Sequence, residues 1–157
     1  MPQTGALSRE FPVVGLGASA GGIGALKTFF SHMPPDSGMA FVVIVHLSPQ
    51  HESHLAQVVQ VSTSMRVAQV QSRVRVEPNC VYVVPPNRSL AMVDGHLDIS
   101  EIRRIEERRA PIDIFFRTLA DTHGSQAIAV VLSGMTSPTT SGRRCARASA
   151  GAWRSMA

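Results

Sequence analysis

Blocks of hydrophobic residues follow one another along the chain with the spacing first of a strand and then of a helix. The run from Phe11 to Gly17 is short and apolar and ends in glycines, which is typical of a buried strand that enters a tight turn. From Gly22 to Met33 apolar residues recur at the spacing of one helix face. The run MAFVVIV, just before His46, predicts a second buried strand. The order is that of a βαβ unit, whose two strands the right-handed crossover rule makes parallel.

Later segments repeat this alternation of helix and strand. Ser48 and Pro49 favour the start of a second helix, and residues 67–70 have the pattern of a short strand. Pro111 opens a third helix, which Gly124 ends. The apolar run AIAVVL after that helix predicts the last strand.

Residues 73–100 differ in character from the rest of the chain. Four short β-rich pieces, VRVE, CVYVV, LAMV and HLDIS, are separated there by turn residues. Asp94-Gly95 between alternating segments is typical of a β-hairpin. We therefore expect all four pieces to form an antiparallel flap, followed by the charged connector EIRRIEERR.

The pattern as a whole predicts an α/β fold, with a doubly wound, mainly parallel sheet and a β-hairpin insertion. We expect a tail over residues 1–10, one incomplete domain over residues 11–135 and a divergent, Arg-rich tail over residues 136–157. Large apolar residues become scarce after Leu132. The C-terminal elements of the fold are therefore predicted to be missing or disordered.

Composition narrows the class of protein. The chain has 157 residues, of which 44% are hydrophobic and 17% charged, which suits one globular domain. Its longest apolar run, from Met39 to Val45, is far shorter than the roughly 20 residues of a membrane span, so we expect no membrane insertion. With no secretory signal and only Cys80 and Cys145, the chain is predicted to be cytoplasmic.

The net charge of +4 comes entirely from the C-terminal tail. Residues 134–157 contain four arginines and no acidic residue, whereas the basic and acidic residues before them balance. A basic tail with one aromatic residue, Trp153, and no recognition motif does not predict nucleic-acid binding.

The segment GLGASAGG, residues 15–22, fits two motifs with different chemistry. As G-x-G-x-x-A it is a candidate dinucleotide turn, but that site needs an acidic residue after the second strand, where His46 stands. As G-x-S-x-G it is a candidate nucleophile turn, which exposes the Ser19 hydroxyl above the carboxyl edge of the sheet. The simpler alternative for Ser19 is a helix N-cap.

His46 favours the nucleophile interpretation of Ser19. It ends the neighbouring parallel strand, and adjacent strands lie about 4.8 Å apart, so its imidazole can reach a hydroxyl on the first turn. A serine and a histidine at one sheet edge are the first two members of a nucleophile–base pair. The alternative for His46 is a strand-end histidine bonded to backbone.

The other histidines carry less information. His51 and His54 follow His46, but no cysteine or carboxylate completes a metal-ligand spacing, so no metal site is predicted. His32, His96 and His123 are expected at the surface. The larger apolar side chains of the two long helices are expected in the core: Phe29, Phe30, Met33, Phe115 and Phe116.

Several motifs in order carry a family resemblance: GLGASAGG, MAFVVIVHLSPQH, VEPNCVYVVPPNRSL, RRAPIDIFFRTLAD and AIAVVLSGM. Together they resemble the catalytic domain of the chemotaxis protein-glutamate methylesterase (CheB) family, and VYVVPPNR and PIDIFFRTLA are most similar to the version fused to a receptor methyltransferase. The resemblance runs from about Phe11 to Met135.

The resemblance implies an esterase that removes methyl groups from glutamyl methyl esters on the cytoplasmic helices of methyl-accepting chemoreceptors, within chemotaxis phosphorelay signalling, and that also deamidates receptor glutamines. Ser19 matches the nucleophile, His46 the general base, and Met135 the residue whose backbone N–H stabilises the oxyanion. No metal or organic cofactor is implied.

The third member of the family's triad is replaced. After LSGM the family continues to an Asp-Gly pair, whereas this chain reads TSPT, which puts Pro138 at the position of the triad aspartate. Proline cannot accept a hydrogen bond from an imidazole N–H. We therefore expect impaired activity, with a noncatalytic chemoreceptor-binding protein as the alternative and a dinucleotide-binding domain as a weaker one.

Overall fold

The computed structural model of the chain describes residues 11–46, 54–105, 107, 110–133 and 145–146, with the backbone alone at residues 46, 145 and 146. The α-helices described from end to end are α1 (Ile23–His32), α2 (Leu55–Gln60) and α3 (Pro111–His123), and the described residues Ile105 and Glu107 are also helical. The strands are β1 (Val13–Ser19), β2 (Ala40–His46), β3 (Arg66–Gln69), β4 (Val74–Arg75), β5 (Cys80–Val83), β6 (Arg88–Val93), β7 (His96–Glu101), β8 (Ala127–Leu132) and β9 (Cys145–Ala146).

Six of these strands form the main sheet in the order β3-β5-β2-β1-β8-β9. The first five run parallel, and β9 pairs antiparallel with β8. The remaining strands form a small antiparallel sheet in the order β4-β7-β6. The predicted α/β fold with a mainly parallel sheet and a hairpin insertion is confirmed.

Side chains of the central strands pack alternately on the two faces of the main sheet. In β1, Val14, Leu16 and Ala18 join a core with α1 and α2, whereas Val13 lies on the face covered by α3 and the small sheet. On the first face the rings of Phe30 and Phe41 meet edge to face, with centroids 5.6 Å apart. Apolar burial on both faces explains why β1 and β2 are apolar almost without interruption.

The placement of CVYVV in the antiparallel flap was wrong. These residues form β5, which lies in the parallel sheet between β3 and β2. Val81 and Val83 pack on the α1 and α2 face and Tyr82 on the opposite one, so β5 is covered on both sides. Burial on two faces suits an interior strand of the main sheet, not a flap with one solvated face.

The other three pieces form the predicted flap. β6 and β7 make a hairpin through Asp94 and Gly95, whose φ angles of 48° and 75° are both positive, as a two-residue hairpin turn requires.

Tyr82 of β5 joins the flap to the main sheet by hydrogen bonds. Its hydroxyl accepts a hydrogen bond from Glu77 N–H at 2.9 Å and donates one to Arg75 C=O at 3.3 Å.

Helix α3 lies directly on two glycines of β1. A Cβ atom at Gly15 would lie 2.8 Å from Cε1 of Phe116, and one at Gly17 would lie 2.6 Å from Cγ2 of Ile112. Both distances are shorter than carbon atoms tolerate, so only glycine permits this approach. The two contacts also show that α3 runs antiparallel to β1, with its N-terminus towards the end of β1.

The chain ends and the second helix were predicted only in part. The first turn proposed at Ser48 and Pro49 and most of the tail lie outside the described residues, and α2 is described from Leu55. The two-residue strand β9 was not predicted, because Cys145 and Ala146 stand in a polar, Arg-rich stretch. Among the described residues no helix is long and apolar enough to cross a membrane.

Replacing Gly17 by alanine is expected to destabilise the fold by about 1–3 kcal/mol, since the added methyl group overpacks the contact with Ile112. Urea unfolding measures the change. Gly24→Ala is the matched control, because a Cβ atom at Gly24 meets no atom within 4 Å; it is expected to leave stability unchanged or raise it by about 0.5–1 kcal/mol. Truncating Ile112 to alanine in the Gly17→Ala background should recover part of the loss. Equal losses at Gly17 and Gly24 would contradict the packing role.

Replacing Tyr82 by phenylalanine tests whether the hydrogen bonds of the Tyr82 hydroxyl stabilise the flap on the main sheet. Burial raises the pKa of Tyr82 to about 12. Above pH 10 the unfolded chain loses the phenolic proton while the folded chain keeps it, so folding stability is expected to fall by about 2 kcal/mol as pH rises from 10 to 12. In Tyr82→Phe this fall in folding stability between pH 10 and pH 12 should be absent, because phenylalanine has no phenolic proton.

At pH 9, Tyr82→Phe should be less stable than the original chain by about 1–3 kcal/mol, because Glu77 N–H loses its acceptor. The difference between the two proteins should then shrink as pH rises. Urea unfolding at pH 9 and pH 11 measures both effects. Stability curves that stay parallel across this range would refute the assigned role of Tyr82.

Candidate functional site

Ser19 is the last residue of β1 and lies at the carboxyl edge of the main sheet. Its side chain is exposed, and its backbone is extended, with φ −84° and ψ 173°. A 3-10 turn, Ala20–Gly22, follows at once and leads into α1. Ser19 precedes this turn as an N-cap residue would, yet its side chain makes no capping hydrogen bond. Helix capping therefore does not account for this hydroxyl.

His46 is the last residue of β2 and the register partner of Ser19. The pairing of β1 with β2 is parallel, as predicted, and continues without a break from Val13 and Ala40 to these two positions. Register partners in neighbouring strands lie about 4.8 Å apart. The backbone thus brings the two predicted site positions together at one sheet edge.

The glycines around Ser19 serve packing between elements of the fold. Gly17 lies under Ile112, and a Cβ atom at Gly22 would lie 2.9 Å from both Ala18 Cβ and the carbonyl oxygen of Leu132. The close approach that a dinucleotide turn reserves for a pyrophosphate is here taken by protein atoms at Gly15 and Gly17. The dinucleotide interpretation therefore loses its main support.

Met135 and Pro138 lie outside the described residues, as does His51. The strand before them is described: Leu132 is the register partner of Ala18, and the description of this stretch ends at Ser133. The chain therefore leaves β8 next to the end of β1. The roles given to Met135 and Pro138 stay predictions.

No group of three metal-ligating residues occurs within the part of the chain that the structure describes. His54 is exposed, with Nδ1 at 3.2 Å from Gln57 Oε1. His32 is exposed as predicted, and its Nδ1 lies 2.9 Å from Thr28 C=O.

The prediction that His123 lies at the surface was wrong. His123 is the last residue of α3 and is buried, with 6% of its surface exposed. It follows Phe116 by seven residues and Leu119 by four, so it continues the inner face of the helix. Its Nδ1 lies 3.0 Å from Thr122 Oγ1. The helical spacing in the sequence already carried this signal.

Asp113 and Asp121, both on α3, are the acidic residues closest to β8 in the sequence before it. Each is a candidate substitute for the missing triad aspartate. Asp113 lies in the first turn of α3, next to Ile112 and thus towards the Ser19 end of β1. Asp121 lies at the opposite end of the helix, and both are exposed. Neither carboxylate accepts a hydrogen bond from a side chain that the structure describes, a set that leaves out the side chain of His46.

Comparison with known proteins places the chain among methylesterases. The family model described as CheB methylesterase matches residues 14–153. A relative from Leptospira interrogans is 26% identical over 129 residues, which cover 82% of this chain and 67% of the relative. A protein-glutamate methylesterase/protein-glutamine glutaminase from Methanosarcina acetivorans is 28% identical, over 78% of this chain but only 37% of its own length.

The fold agrees with this assignment. The crystal structure of the Thermotoga maritima CheB methylesterase catalytic domain superposes with a TM-score of 0.67 and 23% identity, covering 77% of this chain and 66% of that one. The matched residues of the family model include β1 from Val14 onward, the whole flap, α3 and β8. By sequence and by fold, the chain belongs to the CheB methylesterase family.

Proposed function

We propose that this chain is a serine-type protein-glutamate methylesterase domain that acts on methylated chemoreceptors in the cytoplasm, with glutamine deamidation as its second reaction. The observation that carries the proposal is the register of β1 and β2, which pairs position 19 with position 46 at the carboxyl edge of the sheet. The exposed Ser19 side chain, which makes no capping bond, supports it. The names of the longer relatives supply the substrate class.

The proposed reaction passes through an acyl-enzyme. Ser19 Oγ attacks the carbonyl carbon of the glutamyl methyl ester, and His46 accepts the hydroxyl proton. The tetrahedral oxyanion accepts a hydrogen bond from the backbone N–H of Met135. The C–O bond to the methoxy group then breaks, and His46 gives the proton to the departing methoxy oxygen, which leaves as methanol. Water, deprotonated by His46, next attacks the acyl-enzyme and releases the glutamate carboxylate and the free Ser19 hydroxyl.

Pro138 lowers the rate of ester hydrolysis that we expect of this chain. An aspartate that accepts a hydrogen bond from the histidine fixes its tautomer and stabilises the imidazolium, and its loss costs about 10⁴-fold in a serine protease. Proline offers no side-chain acceptor. We therefore propose weak esterase activity for this chain.

Pro138 also favours a second candidate function, a noncatalytic protein that binds chemoreceptors. Substrate binding depends on surface contacts that do not require a proton acceptor at position 138. A pull-down of a methylated receptor cytoplasmic domain measures this binding directly. Binding that survives Ser19→Ala, in a chain that releases no methanol, identifies this second function.

Replacing Ser19 by alanine is expected to reduce methanol release from methylated receptor to the uncatalysed background, because the acyl-enzyme cannot form. Ser31→Ala is the matched control, since Ser31 is also exposed but its hydroxyl bonds Thr28 C=O within α1. The control should keep the rate of the original chain. Methanol release that is above background and equal in the original chain and Ser19→Ala contradicts a serine mechanism, whereas background release in both supports the noncatalytic function.

Replacing Pro138 by aspartate is expected to raise the rate of methanol release by at least about tenfold, with about 10⁴-fold as the ceiling. The gain should appear in kcat more than in KM, because the aspartate acts on the imidazolium that forms during the reaction. Ser19→Ala in the same background should remove the gain. An original chain that already matches an intact relative in rate would show that position 138 is not the triad position.

A further inference from the structure

A groove of about 380 Å³ lies between the outer edge of the main sheet and the segment that carries β4. We call it the β3–β4 groove and define it by six of its lining residues: Arg66, Ala68, Val74, Arg75, Cys80 and Tyr82. Its lining on the main sheet comes from β3 and β5, and Tyr82 of β5 is the register partner of Val42, which lies four residues, or about 13 Å, before His46 along β2. The groove is therefore separate from the Ser19 and His46 positions.

The sheet edge on one side of the groove already carries a side-chain partner. β3 is the end strand of the main sheet as described, and Gln60 bonds its outer side. Gln60 Oε1 accepts from Val67 N–H at 3.2 Å, and its Nε2 donates to Met65 C=O at 2.9 Å. These are the two backbone groups that an added strand would bond at this point.

The edge on the other side is occupied in the same way. β4 pairs with β7, and the groups on its opposite side, Arg75 C=O and Glu77 N–H, are bonded by the Tyr82 hydroxyl. A strand added on either side would therefore have to displace side-chain hydrogen bonds. A ligand of the groove has to be recognised mainly by side chains.

Two arginine side chains supply the charge of the groove. Arg66 and Arg75 are exposed, and neither has an ion-pair partner among the described residues. Other arginines nearby are matched, as Arg73 is by Asp98 at 3.3 Å. Glu77 is the one acidic residue in the lining, so the groove has an excess of positive charge.

Apolar groups lie beside these charges. Ala68 and Val74 are half-buried in the lining, next to the ring of Tyr82. Arginine binds carboxylates through paired, charge-assisted hydrogen bonds, and an apolar floor favours a ligand that also carries an apolar side chain. Both properties belong to an acidic peptide that contains aliphatic residues, whereas an inorganic anion uses only the first.

We propose that the β3–β4 groove binds a short acidic segment of a partner protein. Carboxylates of the segment pair with Arg66 and Arg75, and an aliphatic side chain packs on Ala68 and Val74. This site is independent of the esterase reaction and goes beyond the proposed function.

The test is a titration of the full chain with a fluorescein-labelled peptide of eight alternating Glu and Leu residues, followed by anisotropy at low ionic strength. The double variant Arg66→Gln/Arg75→Gln is expected to bind at least about tenfold more weakly, because two charge-assisted contacts are lost. The matched control is Arg88→Gln/Arg117→Gln, which removes the same charge from β6 and from the exposed side of α3. Its affinity should stay within about twofold of the original.

The rate at which iodoacetamide alkylates Cys80 tests whether the peptide lies in the β3–β4 groove. The thiol of Cys80 is free and lines the groove, so saturating peptide should slow its modification by about threefold or more, as read by mass spectrometry of the digested chain. Cys145 is the internal reference, because β9 is at the opposite end of the sheet. Alkylation of Cys145 should keep its rate.

Three results would overturn the proposal. Equal weakening in the two double variants would show attraction to net charge alone. Unchanged alkylation of Cys80 under saturating peptide would put the peptide elsewhere. Displacement of the peptide by an equal concentration of inorganic phosphate would mean that the groove is a small-anion site.

Discussion

The contact between α3 and the glycines of β1 is the constraint on which the rest of this structure depends. β1 lies between β2 and β8, so its face is the platform for the elements packed on that side. With no side chains at Gly15 and Gly17, the rings and branched carbons of α3 reach the strand backbone. The helix in turn holds the flap, because Thr118 Oγ1 accepts a hydrogen bond from Met92 N–H at 2.9 Å. A methyl group on β1 would therefore shift helix and flap together.

The same constraint weighs against a nucleotide site at the glycine-rich turn of this chain. The second glycine of a dinucleotide turn lets the pyrophosphate approach the backbone, whereas Gly17, which stands at that position here, is in close contact with Ile112. Ser19 itself has an ordinary extended backbone, so its exposure does not depend on conformational strain. It is exposed because β1 ends there and the following turn moves the chain away from the edge.

Local sequence patterns predicted well which segments form helices and strands. They predicted less well which strands pair with each other. Helical spacing was enough for α1 and α3, and the run of branched residues was enough for β2 and β8. The apolar run of β5 looks the same in a flap as in a parallel sheet, since only the pairing with β3 and β2 distinguishes the two. His123 could have been predicted from its distance to Leu119 along the helix.

The candidate site shows the same limit. That β1 and β2 are parallel followed from the crossover rule, whereas the pairing of Ser19 with His46 depends on where each strand begins in the sheet. The hydrogen bonds of Gln60 and Tyr82 to the backbone of the two edge strands had no sequence signal, because isolated bonds from a side chain to the backbone leave no periodic pattern in the sequence. Pro138, in contrast, is visible only in the sequence. In the proposed mechanism its effect falls on the transition state, where the imidazolium forms, and not on the ground state, where the ester is only bound. In that proposal, affinity for the receptor and the rate of hydrolysis are separable, because a substitution at position 138 acts on the second and leaves the contacts of the first in place.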